Sequence, residues 1–204
     1  EMFGNRGDDE ISGGSGYDTI SGGDGVDVAV FGGDQDEFTI AVSDDGTLTV
    51  TDTNTDRAVS VDTISGVETL RFNDGELSVN TAENGEVTLT GTDDVGDVIT
   101  MTGAVGAILK GAGGADVLSG GDGADVISGA AGVDVLSGGS GDDTITGGDG
   151  DDTLAGGTGN DTITGGDGID VAVFAGNQSD YTISVAYDGT LTVTDTNTDR
   201  AVSV

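Results

Sequence analysis

Aspartate recurs at every ninth position in two stretches of the 204-residue chain. Residues 111–173 contain seven such aspartates, and residues 4–30 contain three. They are Asp116, Asp125, Asp134, Asp143, Asp152, Asp161 and Asp170 in the longer stretch, and Asp9, Asp18 and Asp27 in the shorter one. Carboxylates are hard oxygen ligands, and a calcium ion takes about six to eight oxygens from carboxylates and backbone carbonyls. The spacing therefore predicts a row of calcium sites with these side chains as ligands.

Each aspartate is the sixth residue of a nine-residue unit with glycine at its first and fourth places and an aliphatic residue or alanine at its eighth. Glycine tolerates positive φ angles and close backbone approach, so the first six residues of each unit predict a turn. A glycine-rich turn exposes several carbonyls, and we expect those of the first and third places to add ligands. They belong to Gly13, Ser15, Gly22, Asp24, Gly120, Asp122, Gly129, Ala131, Gly138, Ser140, Gly147, Asp149, Gly156, Thr158, Gly165 and Asp167.

The last three residues of each unit predict a very short strand whose middle side chain points inward. Two units then form one coil, and each unit stacks on the unit two places further along at a spacing of about 4.8 Å. This stacking aligns the carboxylates in two columns, one along each edge, where bare negative charges repel each other. Calcium between adjacent turns removes the repulsion, and the number of stacked turn pairs predicts about six ions. Because the core is thin, we expect the metal-free repeats to be largely disordered.

These repeats resemble the RTX (repeats-in-toxin) β-roll of proteins exported by bacterial type I secretion, whose GGxGxD turns bind calcium. The resemblance implies an all-β fold: a right-handed parallel β-roll, that is a β-solenoid of nonapeptide repeats, with β-hairpin capping segments. It also implies export in an unfolded, low-calcium state and folding outside the cell. Four alanines depart from the pattern. Ala112, Ala130 and Ala131 lie in turns and leave the carbonyls in position, and Ala172 reduces the core of the last coil.

Composition limits the possible functions. The chain has 39 acidic and 5 basic residues, a formal net charge of −34, and neither His nor Cys. Such a charge argues against nucleic acid and anionic membrane surfaces as partners. Catalytic sets that need His or Cys are excluded, and an acid–base carboxylate pair is disfavoured because nearly every repeat aspartate already has a turn or ligand role. We therefore expect no enzymatic activity, and no membrane insertion because no apolar run approaches about 20 residues.

The nine-residue period breaks twice, which divides the chain into five predicted segments. They are the end of a first roll (1–31), a β-rich capping segment (32–79), degenerate starter coils (80–110), a second roll of seven repeats (111–174) and a truncated copy of the capping segment (175–204). Residues 165–204 repeat residues 22–61 with nine differences in forty positions, so we expect tandem modules from a longer protein. Hairpin-type turns are predicted at residues 44–46 and at Asn84-Gly85. The second starter coil lacks an aspartate at the ligand place, which predicts a metal-free coil.

Three groups of side chains are open to two interpretations. The fifth-place residues Asp8, Asp142 and Asp151 either tune calcium affinity or are solvated turn residues, and the second interpretation is favoured. The outward residues Thr144, Thr146, Thr162 and Thr164 form a grid compatible with ordering water or ice, although ordinary β-propensity explains them better. The outward Val117, Val126 and Val135 pack either beneath the starter coil or against a neighbour.

The sequence predicts a calcium-binding structural module of an extracellular or cell-surface bacterial protein, of the adhesin, surface-layer or fibre type, that folds on binding calcium after secretion. The alternative is the C-terminal calcium-dependent folding and secretion module of a type I secreted hydrolase or toxin. Besides calcium, the expected partner is another module, bound head to tail through the open ends of the rolls.

Overall fold

The computed structural model describes residues 1–43, 46–57, 60–82, 86–92, 96–102, 105–185 and 191–195. The predicted turn residues 44–45 and the predicted Asn84-Gly85 turn lie outside the described residues, as do residues 186–190 and 196–204 of the predicted second capping segment. The described strands are β1 (Met2–Arg6), β2 (Glu10–Ile11), β3 (Thr19–Asp24), β4 (Val28–Val30), β5 (Phe38–Val42), β6 (Leu48–Asp52), β7 (Val61–Ser65), β8 (Thr69–Arg71), β9 (Glu76–Thr81), β10 (Val87–Thr90), β11 (Val98–Thr102), β12 (Ala107–Gly113), β13 (Val117–Asp122), β14 (Val126–Ala131), β15 (Val135–Ser140), β16 (Thr144–Asp149), β17 (Thr153–Thr158), β18 (Thr162–Asp167), β19 (Val171–Val173), β20 (Tyr181–Val185) and β21 (Leu191–Asp195). Short 3-10 helices occupy Gln35–Glu37 and Gln178–Asp180.

The strands of the regular repeats, β13 to β18, are longer than the sequence predicts. Each has six residues and runs from the seventh place of one unit to the third place of the next. The expectation of a three-residue strand was wrong because the first glycines of the next unit also join the ladder, as in the pairing of Gly121 with Gly139. The turn between consecutive strands therefore consists only of the residues at the fourth to sixth places of each unit.

Alternate strands stack in parallel to form two sheets. Leu118 pairs with Leu136 in one sheet, and Ile127 pairs with Ile145 in the other, so each unit lies beside the unit 18 residues later. This register is the one that the nine-residue period predicts for two units per coil. The prediction of an all-β fold built on a parallel β-solenoid of nonapeptide repeats is confirmed.

In the regular repeats the core is a single file of eighth-place side chains between the two sheets. In the second roll Leu118, Ile127, Leu136, Ile145 and Leu154 are fully buried. Ile163 packs against the same core but is only partly buried. The seventh-place Val117, Val126 and Val135 face outward and remain partly exposed, paired along the ladders with neighbours on the same face. Ordinary β-alternation therefore determines which side chains enter the core.

Residues 32–79, which we term the connecting segment, link the two sets of nonapeptides. One sheet has the strand order β1-β3-β7-β6-β5-β11-β13-β15-β17-β19, and the other has the order β18-β16-β14-β12-β10-β9-β8-β4-β2. The antiparallel strands β5 to β7 and β8 to β10 thus lie in the sheets between the coils of the first roll and those of the second. Both sheets continue through the segment from one roll to the other.

An aromatic cluster and one arginine hold the connecting segment together. The ring centroids of Phe31, Phe38 and Phe72 lie 5.2 to 5.5 Å apart, and all three side chains are buried. Arg57 forms ion pairs of 2.8 Å with Glu37 and with Asp52. Its guanidinium carbon also lies 5.4 Å from the centroid of the Phe38 ring. These contacts fix the β5–β6 hairpin against the first roll.

The second copy of this hairpin is packed differently. Strands β20 and β21 form a separate two-stranded sheet. Phe174, the counterpart of Phe31, is 45% exposed instead of 6%, and Ile183, the counterpart of Ile40, is 59% exposed instead of 3%. In the first copy β5 also pairs with β11 and β6 with β7, and these neighbouring strands bury the hairpin.

Candidate calcium sites

The sixth-place aspartates form two columns, as the spacing predicts. In each column the backbone N–H of one aspartate donates to Oδ1 of the aspartate 18 residues later, at distances of 2.8 to 3.1 Å. The second roll has one column of Asp116, Asp134, Asp152 and Asp170 and another of Asp125, Asp143 and Asp161; in the first roll Asp9 is paired with Asp27. Each accepting carboxylate therefore has one oxygen tied to the neighbouring turn.

The second carboxylate oxygen, Oδ2, is buried and has no hydrogen-bond partner in most of these residues. This holds for Asp9, Asp27, Asp116, Asp125, Asp134, Asp143 and Asp152. A buried carboxylate oxygen without a partner costs free energy unless a donor or a cation meets it. A repeated set of such oxygens is the strongest indication in the structure that the turns hold cations.

Each unpartnered Oδ2 lies against the first-place glycine of its own unit. A Cβ added to Gly111 would overlap Oδ2 of Asp116 and come within 2.8 Å of the carbonyl oxygen of Gly129, in the adjacent turn. The same relationship recurs at Gly120, Gly129, Gly138 and Gly147, each facing the first-place carbonyl 18 residues later. A carboxylate oxygen and a carbonyl oxygen thus converge at every turn pair, which is the oxygen donor set that calcium prefers.

The predicted carbonyl ligands fall into two groups. First-place carbonyls, such as that of Gly129, border the unpartnered carboxylate oxygens. Third-place carbonyls accept hydrogen bonds from fourth-place N–H groups of the adjacent turn, for example Ala131 from Gly114 at 2.9 Å and Asp149 from Gly132 at 2.9 Å. A carbonyl oxygen has two lone pairs, so the third-place groups keep one acceptor position. The geometry favours the first-place carbonyls as the nearer oxygens.

Burial disfavours negative charge in these columns. It raises the pKa of Asp116 and of Asp125 to about 6, and the donated N–H groups of Asp97 and Ala107 oppose part of the rise. The negative charges of stacked neighbours raise the pKa further. Burial raises the pKa of Asp134 and Asp143 in the same direction. A divalent cation between the turns would offset both the desolvation and the repulsion.

Among the described residues no group of three acidic side chains converges on one point. The stacking explains this finding, because two adjacent turns contribute one or two carboxylates and the remaining oxygens come from the backbone. The residues present fit calcium, which would be held by sixth-place carboxylates and turn carbonyls and would supply the positive charge that these columns lack.

The described residues also include no helix long and apolar enough to cross a bilayer.

Three acidic residues outside the predicted set also enter the columns. Asp18 does not meet another predicted ligand; its N–H donates instead to Asp62, at 3.1 Å. The N–H of Asp97 donates to Asp116 at 2.7 Å, and the N–H of Asp27 donates to Glu68 at 2.8 Å. Asp97 could have been identified from the sequence, because it belongs to the degenerate unit that begins at Gly91. Asp62 and Glu68 lie outside the period, so spacing alone could not identify them.

Ala107 and the fifth-place aspartates also take part in the contacts between stacked turns. Ala107 occupies the sixth-place position next to Asp125 and keeps the N–H bond of 2.7 Å, but it contributes no carboxylate, as the missing aspartate in the second starter coil predicts. Fifth-place aspartates bond to the backbone of the next turn: Asp8 accepts from Val26, Asp142 from Asn160 and Asp151 from Ile169, at 2.8 to 3.0 Å. Neither interpretation offered by the sequence included this role.

Parallel coils, glycine turns and stacked carboxylates define the protein as a β-roll of the calcium-binding nonapeptide class. The family model of the RTX calcium-binding nonapeptide repeat (4 copies) matches residues 3–38, 106–136 and 137–172, just over half of the chain. The chain therefore belongs to the RTX calcium-binding nonapeptide repeat family, and the resemblance drawn from the sequence is confirmed. No curated protein matches it significantly. RTX repeats bind calcium as structural, non-catalytic modules, and proteins that carry them are typically secreted by bacteria.

Proposed function

We propose that this chain is a calcium-folded structural spacer of an extracellular bacterial protein, of the adhesin, surface-layer or fibre type. The observation that carries the proposal is the continuity of both sheets through the connecting segment, from β3 to β11 in one sheet and from β4 to β12 in the other. Two rolls joined in this way form one body without a flexible linker. Ten strands at the usual spacing correspond to a length of about 45 Å.

The ligands in this proposal are the ten sixth-place aspartates and the turn carbonyls named above, with about six ions between stacked nonapeptide turns. The high negative charge keeps the chain unfolded and soluble at low calcium. Extracellular calcium modules bind in the range of about 10⁻⁴ to 10⁻³ M, so folding would follow arrival in a calcium-rich medium. The metal is thus the switch between an extended chain and a stiff spacer.

Small-angle X-ray scattering tests the spacer role. With excess calcium we expect an elongated particle of constant length, and with chelator an expanded chain with a much larger radius of gyration. As a control, magnesium at equal concentration should leave the expanded chain unchanged. Scattering from two rolls that move independently about residues 32–79 would contradict the proposal.

The alternative function is a folding and secretion module of an exported hydrolase or toxin, which is equally consistent with the typical secretion of proteins that carry these repeats. Fusion of the chain to a reporter enzyme separates the two functions. A folding module should make recovery of reporter activity after denaturation depend on calcium, whereas a spacer should leave refolding of the reporter unchanged.

We also propose that modules associate end to end. Among the described strands, β1 and β19 end one sheet and β2 and β18 end the other, so each retains an unpaired edge. Unpaired parallel edges are templates for another chain. Sedimentation in calcium should show association that increases with protein concentration, and a monomer at all concentrations would contradict this part of the proposal.

A further inference from the structure

The last coil of the first roll is closed by a turn that is not a nonapeptide. Residues 63–65 pair with residues 19–21, and residues 69–71 pair with residues 28–30, so both flanking strands follow the roll register. Between them only Gly66, Val67 and Glu68 replace the first six residues of a regular unit. The family match ends before this turn, at residue 38.

Glu68 occupies the position that a sixth-place aspartate has elsewhere. The backbone N–H of Asp27 donates to Oε2 of Glu68 at 2.8 Å, just as the N–H of Asp116 donates to Oδ1 of Asp134 at 2.8 Å. The N–H groups of Glu68 and Thr69 also donate to the carbonyl of Asp27 at 3.1 Å. Because the turn is three residues shorter, the extra methylene of glutamate supplies the reach that an aspartate would lack.

A second, independent feature lies beside this carboxylate. Asp27 is fully buried, its Oδ1 accepts the N–H of Asp9 at 2.8 Å, and its Oδ2 has no partner. A Cβ added to Gly22 would overlap the carbonyl oxygen of Gly66 and would lie 2.5 Å from Oδ2 of Asp27. This convergence repeats the arrangement at Gly111, with Gly66 in the place of the first-place glycine of the next unit.

Among the described residues, none of the ion pairs joins a basic side chain to Asp27 or Glu68. Arg6 pairs with Asp24, Arg57 with Glu37 and Asp52, and Arg71 with Glu10 and Glu76. Two carboxylates and a carbonyl are therefore brought together without a basic side chain in these ion pairs, and the buried Oδ2 of Asp27 has no hydrogen-bond partner. Hard oxygens in this arrangement suit a calcium ion.

We propose that Asp27, Glu68 and the carbonyl of Gly66 form a further calcium site, at the seam between the first roll and the connecting segment. The site rests on the proposed calcium-dependent folding but lies outside the nonapeptide turn pairs. Its ion would tie β7 and β8 to the first roll. The column of calcium ions in the first roll would then continue one turn beyond the last nonapeptide.

The opposite edge of the same coil provides an internal comparison. Asp62 also occupies a sixth-place position, because its Oδ1 accepts the N–H of Asp18. However, its Oδ2 accepts the hydroxyl of Ser60 at 3.3 Å, so both oxygens have protein partners. A hydroxyl thus takes the place of a cation on that edge. The seam is expected to hold one ion, on the Glu68 side alone.

Glu68→Gln tests the site, because the amide keeps an acceptor for the Asp27 N–H and removes the charge. Native mass spectrometry of the full chain in calcium should count one ion fewer than in the unsubstituted protein. Hydrogen exchange in calcium should become faster in β7 and β8 and remain unchanged in β13 to β18. Glu76→Gln, in the same segment but paired with Arg71 at the surface, is the matched control and should keep the full number of ions.

Glu68→Asp is the second variant, since it keeps the charge and loses the reach. It should also lack one ion, and it decides the question if Glu68→Gln does not fold. An unchanged ion count in Glu68→Asp, or in folded Glu68→Gln, would overturn the seam site while leaving the roll sites intact. If the unsubstituted chain itself bound no calcium, the proposed function would fail together with the seam site, so the two failures are distinguishable.

Discussion

The backbone N–H of Asp134 donates a hydrogen bond of 2.9 Å to Oδ1 of Asp152, in the turn 18 residues further along. Oδ2 of Asp152 has no hydrogen-bond partner, although its side chain is buried. One carboxylate therefore does two things: it satisfies a backbone donor of the adjacent turn and presents a free oxygen between turns. The first role fixes the register of the stack, and the second requires a cation for its charge.

The double variant Asp134→Ala, Asp152→Ala should bind at least about two calcium ions fewer than the unsubstituted protein. Asp134 contacts the turns of Asp116 and Asp152, and Asp152 also contacts the turn of Asp170. Each carboxylate thus serves two neighbouring turn pairs. Isothermal titration calorimetry or native mass spectrometry gives the number of bound ions.

The control for this experiment is Asp122→Ala, Asp149→Ala, which removes the same charge from exposed third-place side chains and leaves their carbonyls in position. This control should keep the number of ions and lower the affinity only slightly. An equal loss of ions in both double variants would show that net charge, and not the sixth-place position, governs binding.

Removal of calcium should unfold the repeats. In chelator the stacked carboxylates repel each other, and the single file of eighth-place side chains gives little hydrophobic burial to oppose the repulsion. Circular dichroism should therefore show a coil-like spectrum in chelator and a β spectrum after addition of calcium. Equal magnesium should not restore the β spectrum, because magnesium loses its water reluctantly and prefers octahedral geometry. Identical spectra in chelator and calcium would contradict metal-driven folding.

The nonapeptides of this fold could be predicted almost completely from the sequence because period and structure coincide there. The place of Asp143 in the period identifies both its column and its neighbours in the stack. The seam could not be predicted in this way. Glu68 reaches its position because a turn is shortened by three residues, and only the paired strands on each side reveal that shortening.

The length of the strands and the role of the fifth-place aspartates were also beyond the sequence pattern. Gly121 belongs to a strand because a positive φ of 93° still allows pairing with Gly139, which a rule based on turns and β-propensity does not predict. Asp151 meets the backbone N–H of Ile169 only once the coils are stacked. Both features depend on contacts between units and not on the residues of one unit.

Asp151→Ala should lower the free energy of unfolding in calcium by about 1 kcal/mol, because it leaves the N–H of Ile169 without its acceptor. Asp151→Asn keeps an amide oxygen at the same place and should lose less. Guanidinium unfolding at saturating calcium measures both values. Neither variant should change the number of bound ions, and a lower ion count in Asp151→Ala would favour a direct effect on calcium instead.

The second-place alanines should be sites of strain. Ala112 and Ala130 have φ angles of 80° and 79°, where a Cβ costs an L-residue about 1 to 2 kcal/mol. Ala130→Gly relieves that strain but also increases the flexibility of the unfolded chain, so we expect a net gain of about 0.5 to 1 kcal/mol in the free energy of unfolding. Denaturant unfolding in excess calcium measures the gain.

The reverse substitution, Gly148→Ala, is the matched experiment in the next turn of the same column. Gly148 has a φ of 128°, and an added Cβ would overlap the carbonyl oxygen of Ala130. Because strain and steric overlap then act together, we expect a loss of at least about 2 kcal/mol. Stabilities that changed in the same direction in Ala130→Gly and Gly148→Ala would mean that strain at the second place does not set the stability of the turns.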